Sequence, residues 1–362
     1  MAQCRTGRRA GRRKEWPTVR WLLALVVLLA PVATPANAVT IDWVLVGDAG
    51  NLADTASNCY GPNCGAVDYD YRISKYVVTN SQYAEFLNAK AASDPLALYH
   101  IGMGLDANVG GIARSGSNGS YSYALKPGFE NKPVVYVTFA DALRFANWLN
   151  NGQGNGETET GAYTLLGGTP IPSNVYTVTR NPGAVTFLTS ENEFYKAAYF
   201  DGMSFFDYPY GTDAQTACAA PGATPNTANC NDVVGGLTDV GAYTGSASPY
   251  GAYDMGGNVF QWNEQIVDGF SRGLRSGGWD YTANYFRASG TSYGNPESGN
   301  GLVGFRVASV VPEPGAGLLV TAGLLTLAAW RRRRLGPPIT PPSSGPRSPS
   351  RNERRTPASP PA

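Results

Sequence analysis

Three times along the chain a short apolar run ends on a hydroxyl residue and gives way to apolar positions at helical spacing. In the first, Val78, Thr79, Gln82 and Tyr83 stand where a hydrophobic staple and capping box place N′, N-cap, N3 and N4, and Tyr83, Phe86 and Leu87 then share one face. The spacing predicts a helix from about Asn80 to Lys90. The second unit is the β-like run VVYV (134–137), Thr138 as N-cap with Asp141 at N3, and a stripe of Ala142, Phe145, Ala146 and Leu149. The third is VTFL (185–188), Ser190 as N-cap with Glu193 at N3, and a helix carrying Phe194, Ala197 and Ala198. Helical spacing by itself accounts for these aromatics as core rather than as a ligand platform.

The remaining pattern is strand and loop. VTIDWVLVG (39–47) opens as an apolar segment, and 102–128 has no helical period, which predicts a long loop with a hairpin. RGLRSGGWDYTANYFRAS (272–289) and LVGFRVAS (302–309) read as two hairpin-like segments, whose Arg272, Arg275, Arg287 and Arg306 can pair with the excess carboxylates, a solvated surface role being the default for any one of them. Three helices, short strands and abundant loops make an α+β chain with low regular secondary structure.

The stretch Gly251–Glu264, GAYDMGGNVFQWNE, fits neither period. Adjacent glycines permit torsions closed to other residues, and Asp254, Asn258, Gln261, Tyr253, Phe260 and Trp262 surround them. Side-chain and carbonyl oxygens beside a hydrophobic wall suit a hard cation; a tight glycine turn packing its aromatics into a core suits the same residues.

This stretch resembles the G-L-x-x-M-x-G-N-V-W-E-W signature of the formylglycine-generating enzyme, or sulfatase-modifying factor, family, with Phe260 for the first Trp and Gln261 for the Glu. Residues 71–89, 133–150, 187–198 and 304–308 resemble further family landmarks in the same order, so the resemblance spans most of residues 69–308. It implies one loop-rich domain over 39–310 with a C-type-lectin-like core. It also implies a structural calcium ion held by the Asp254 side chain, the Gly257 and Val259 carbonyls and the Gln261 side chain, and a second cation site near Asn229. Gln261 keeps an oxygen but removes one charge, which lowers the expected affinity. The family's oxidase binds copper through a C-x₄-C pair shortly after the motif that here reads RSGGWDY. Those positions fall on Tyr281 and Phe286, or on Tyr285 if the loop shifts by one, and the chain has no cysteine after Cys230. Thiolates select Cu(I), and a phenol with pKa near 10 is a poor substitute, so copper is not expected.

Five cysteines are present, and Cys4 falls in a segment expected to be removed. The others form two short-range pairs, Cys59 with Cys64 and Cys218 with Cys230, read as disulfides of an exported protein. Zinc is the alternative use, weakened by the lack of C-x₂-C spacing and by His100 being the only histidine. Cys59 and Cys64 have the copper spacing but precede the first landmark. His100 is expected as a loop residue without a catalytic role, which also disfavours Ser/His/Asp and Cys/His chemistry and iron sites built from several histidines.

Charge separates the body from the ends. Residues 39–310 carry 13 Lys and Arg against 24 Asp and Glu, a net charge of −11, while the whole chain is +1. An acidic body argues against a nucleic-acid partner. Residues 1–38 have a basic start, the apolar run 21–33 and Ala36-Asn37-Ala38, which predicts a secretory signal peptide cleaved after Ala38. Residues 311–334 resemble a PEP-CTERM sorting signal: Pro312, Glu313 and Pro314, the apolar run 315–330 as membrane segment, and Arg331 to Arg334 kept cytoplasmic. The resemblance implies an exosortase-type processing enzyme as partner, with anchoring at the cytoplasmic membrane followed by periplasmic, surface or matrix localisation. Residues 335–362, rich in Pro, Ser and Arg, are expected to be a disordered tail. Three functions remain open: an oxidase converting a sulfatase cysteine to formylglycine, a displayed module binding polysaccharide or protein, and a matrix protein. The missing cysteine pair favours the catalytically silent readings, with the oxidase as alternative.

Overall fold

Each of the three hydroxyl residues caps a helix in the computed structural model, which describes residues 38–55 and 63–311. Thr79 caps α1 (Asn80–Lys90), Thr138 caps α3 (Phe139–Asn150) and Ser190 caps α4 (Glu191–Tyr199), each through a full capping box closed by Gln82, Asp141 and Glu193. Two of the first orphan N–H groups of each helix are thereby satisfied, which fixes where each helix starts. The predicted faces are buried. Tyr83, Phe86, Phe145 and Phe305 form edge-to-face and stacked pairs with centroids 5.3–6.4 Å apart, packing α1 and α3 on each other and on Phe305. Residues 102–128 hold the expected hairpin, β3 (Ile112–Ser115) with β4 (Ser122–Leu125), and also one helical turn, α2 (Gly102–Leu105), that the sequence pattern gave no sign of.

Two four-stranded sheets form the frame. The first has the order β1-β2-β12-β5, from β1 (Trp43–Val46), β2 (Tyr71–Ser74), β12 (Val307–Val310) and β5 (Thr186–Leu188), all antiparallel. The second has the order β10-β9-β8-β11, from β10 (Ser292–Gly294), β9 (Ser271–Arg275), β8 (Phe260–Val267) and β11 (Val303–Phe305). β11 pairs parallel with β8, while β12 pairs antiparallel with β2 and β5. The segment 302–309 is therefore not a hairpin: the chain leaves one sheet and enters the other across Arg306. The run 134–137 is likewise not a strand, because Tyr136 adopts φ +64° and its amide bonds the Asn300 carbonyl.

The arginines depart most from expectation. Arg272, Arg275 and Arg306 are buried, and only Arg287 is exposed, paired with Asp207 at 3.1 Å. A guanidinium has five donors in a fixed fork, so three such groups are kept inside by carbonyls and carboxylates that a local sequence window does not contain. A bulge in β8 between Trp262 and Ile266 turns Glu264 toward Arg180. Arg180 bridges Glu264 at 2.8 Å and Glu193 at 2.7 Å. Burial raises the carboxyl of Glu264, whereas at Glu193 Arg180 overcomes burial and holds the pKa below its ordinary value.

Cys218 and Cys230 form the expected disulfide, with Cα atoms 5.0 Å apart, beside the short parallel pair β6 (Ala217–Cys218) and β7 (Thr227–Ala228). Cys64 is also disulfide-bonded, and Cys59 lies outside the described residues. So do residues 1–37, where a signal sequence is expected, Pro312, Glu313 and Pro314, the apolar run 315–330 and residues 335–362. Among the described residues no helix is long and apolar enough to cross a membrane.

Asp141 gives the fold a pH dependence. It is buried in its capping box, and burial pushes its carboxyl from 3.8 up to about 7 despite bonds from Thr138 and the nearby Arg144. The folded chain holds a proton there that the unfolded chain has released. Its contribution to stability is therefore fully present below 3.8 and is lost as pH rises to about 7. Asp141→Asn keeps the acceptor and removes the titration. Its melting temperature is expected to fall less than wild type between pH 5 and pH 7.5; equal slopes would refute the assignment.

Candidate functional site

The glycine stretch 251–264 is a tight turn feeding β8. Asp254, Gly257 and Asn258 have φ of +55°, +84° and +65°, a region that glycine and short polar residues tolerate best. Glycine is required at 257, where a Cβ would meet the Asn229 carbonyl oxygen at 2.6 Å. Tyr253 stacks on Tyr76 at 5.7 Å, Trp262 is buried, and Phe260 faces the rings of Tyr281 and Tyr285.

The structure separates the proposed calcium ligands into two groups. Asp254 Oδ2 accepts from the Gly241 amide at 2.7 Å, and burial pushes this carboxyl up to about 6. The Gly257 carbonyl accepts from Ser276 Oγ at 3.1 Å. Gln261 Nε2 donates to the Asp254 carbonyl at 2.7 Å, and Gln261 Oε1 accepts from Arg306 Nε at 2.5 Å. Asp254 fits a cation, since its buried carboxylate accepts one backbone donor and feels the Arg306 charge without a direct ion pair. Gln261 fits poorly, because its oxygen is taken by a guanidinium.

Around Asn229 the donor set is different. Asn258 Oδ1 accepts from Asn229 Nδ2 and from the Thr238 amide, both at 3.1 Å, and Asn258 Nδ2 donates to the Thr238 carbonyl at 3.2 Å. Asn229 Oδ1 and Thr238 Oγ1 are buried beside this amide without a hydrogen-bond partner. Unpartnered buried oxygens are a cost that an oxygen-seeking cation would remove, so Asn229 fits and Thr238 joins it. Among the described residues no group of three or more His, Cys, Asp and Glu forms a metal cluster.

The positions matching the copper pair part company. Phe286 is fully buried: a Cβ on Gly256, Gly257 or Gly277 would meet its ring within 3.2 Å. Tyr281 and Tyr285, by contrast, face each other with centroids 4.8 Å apart and planes at 81°, and both line an open groove of about 380 Å³. The groove runs past Phe260 and Trp262 to Tyr293, Asn295, Ser298 and Asn300. Sequence reasoning missed this far wall, TSYGNPESGN (291–300). Its signal was an aromatic among amides and hydroxyls, with Glu297 the one charged residue. His100 is an exposed loop residue stacked on Tyr136 at 5.1 Å, and it does not line the groove.

Comparison with known proteins settles the family. Residues 32–311 match the family described as sulfatase-modifying factor enzyme 1-like domain. The chain belongs to that family. A curated relative, the serine/threonine-protein kinase pkn1 of Chlamydia caviae, is 23% identical over 262 residues, covering 67% of this chain and 33% of pkn1. The chain thus spans about a third of that relative's length. Among solved structures, CarF is 20% identical over 75% of this chain and 99% of its own, with a TM-score of 0.51. Treponema denticola variable protein 1 is 16% identical over 77% of this chain and 98% of its own, with a TM-score of 0.49. The likeness to CarF shows the fold: a formylglycine-generating-enzyme-like α+β domain with small sheets and few helices.

Arg306 ties this sulfatase-modifying factor-like site together. Besides Gln261 it donates to the carbonyls of Ser74 at 2.9 Å, Tyr253 at 2.8 Å and Asp254 at 3.3 Å, and burial lowers its pKa to about 10. Arg306→Met fills similar volume but leaves these acceptors buried and unpaired. The expected loss is on the order of 3–5 kcal/mol, read by chemical denaturation; a loss below about 1 kcal/mol would refute the bridging role.

Proposed function

We propose that this member of the family is a displayed binding domain that does not generate formylglycine. One observation carries the reading. The positions expected for the family's copper pair hold Tyr281 and Phe286, or Tyr285 if the loop shifts by one; the two tyrosines face each other at the groove, and the sequence has no cysteine beyond Cys230. Neither a phenol nor a phenyl ring offers the soft sulfur ligand that Cu(I) takes. What remains at that place is an aromatic lip on an acidic body, a surface suited to contact an extracellular polysaccharide or protein. The signal-like start and the Pro312-Glu313-Pro314 segment support export and handling by an exosortase-type enzyme at the membrane.

The test is chemical. Purified protein with copper, oxygen, a thiol reductant and a cysteine-containing sulfatase peptide is expected to give no aldehyde above a buffer control; an aldehyde product would establish the oxidase instead.

Calcium belongs to this reading as a structural ion. Asn229 and Thr238 offer oxygens without partners, and Asp254 offers a carboxylate with the Gly257 and Val259 carbonyls beside it in sequence. With Gln261 held by Arg306, the Asp254 set is the weaker of the two. Calcium is expected to raise the melting temperature relative to chelator, and Asn229→Ala to remove most of that rise. No calcium-dependent shift in wild type would overturn it.

A further inference from the structure

The groove's composition points to its ligand, and the step rests on the binding reading above. We propose that the groove between Tyr285 and Tyr293 takes hexopyranose units of a neutral glycan. None of its lining residues is charged: the walls are aromatic and aliphatic side chains with amides and hydroxyls. In the nearby 291–300 segment the only carboxylate, Glu297, accepts from Tyr176 Oη at 2.8 Å and does not line the groove. A volume of about 380 Å³ falls in the range of small-molecule sites, which run from about 300 to 1,000 Å³.

The polar groups match a sugar ring in kind as well as in charge. Asn295 Oδ1 accepts from the Glu297 amide at 3.0 Å, and Asn300 Oδ1 from the Leu302 amide at 2.9 Å. Each side chain is therefore oriented with its oxygen committed, and its Nδ2 has no hydrogen-bond partner among the described residues. Among the described residues the hydroxyls of Ser292, Ser298, Tyr281, Tyr285 and Tyr293 also have no side-chain hydrogen-bond partner. Fixed amide donors and rotatable hydroxyls, each donor and acceptor, answer sugar hydroxyls, which are also both. The exposed rings of Tyr285 and Tyr293, with 42% and 59% of their surface accessible, offer flat apolar faces to the C–H face of a pyranose.

Charge decides between glycan classes. A polyanion would approach a body of net charge −11 and enter a groove with no cation to replace its lost hydration. A neutral chain meets neither cost.

The experiment is calorimetric titration of the purified full chain with a neutral β-glucan oligosaccharide, an oligoalginate and the sulfatase peptide. Binding of the neutral oligosaccharide alone, with Tyr285→Ala and Tyr293→Ala each weakening it at least tenfold and Phe270→Ala leaving it unchanged, supports the proposal. Both tyrosines are exposed enough for the variants to stay folded, which circular dichroism checks; Phe270 is 76% exposed and outside the groove lining. No binding of the neutral oligosaccharide, tighter binding of the alginate or the peptide, or indifference of both tyrosine variants overturns it. Aldehyde formation on the peptide would instead fail the binding reading, so the two failures are told apart.

Discussion

One guanidinium stands where the two sheets and the glycine turn meet. The strand β11 ends at Phe305 in the second sheet, β12 begins at Val307 in the first, and the residue between them reaches Ser74 on β2, Gln261 on β8 and the carbonyls of Tyr253 and Asp254. A crossing between sheets after a single residue leaves little room to satisfy the backbone of the turn it faces. Arg306 supplies its donors from the crossing point itself, and no other side chain has both the reach and the donor geometry for four acceptors on three segments. Gln261 is part of the same arrangement. An amide accepts from the arginine with its oxygen and donates to the Asp254 carbonyl with its nitrogen, whereas a carboxylate at that position would accept only. The glutamine at the signature's acidic position thus spends its hydrogen bonds on holding the turn.

Two other buried arginines follow the same rule with carboxylate partners as well as carbonyls. Arg275 meets Glu191, whose Oε2 accepts from Asn263 at 2.8 Å, and it also donates to the carbonyls of Ala288 and Gly290 at 2.8 and 2.7 Å. Arg144 pairs with Glu159 at 2.7 Å and donates to the carbonyls of Thr169 and Pro170. In each case a long loop is fastened to a helix or strand by side-chain bonds in place of a ladder. A domain with so little regular structure has many loop carbonyls to satisfy, and buried arginines are the means this chain uses. Such pairs fix geometry more than they add stability, because desolvation offsets much of the attraction.

Local signals were legible and distant ones were not. The three longer helices could be read from four adjacent residues each: Thr79 to Gln82, Thr138 to Asp141, Ser190 to Glu193. The Cys218–Cys230 bridge was legible because its partners share a loop. The burial of Arg272, Arg275 and Arg306 was not, since their acceptors lie 8 to 232 residues away in sequence. The same limit hid the groove. Tyr281 and Tyr285 drew notice through the family's cysteine positions, but Tyr293, Asn295 and Asn300 come alongside only when β10 pairs with β9. Tyr136 shows the reverse error, where an apolar run that scans as strand is broken by one positive φ and a bond to Asn300.

The proposed glycan groove turns on what a tyrosine offers that a thiolate would not. A phenol cannot hold Cu(I), yet it keeps a flat face and a neutral hydroxyl, the two properties a glycan platform uses. The change alters the site without disturbing the frame: Phe286, one residue on, remains packed under Gly256, Gly257 and Gly277, and its carbonyl accepts from Tyr199 Oη at 2.9 Å. The 3-10 turn Ala283–Phe286 thus separates two duties along its own length, with Tyr285 exposed at the groove and Phe286 locked in the core. Because the core residue holds the turn, the lip residues are free to vary in chemistry while the signature turn and β8 stay in place.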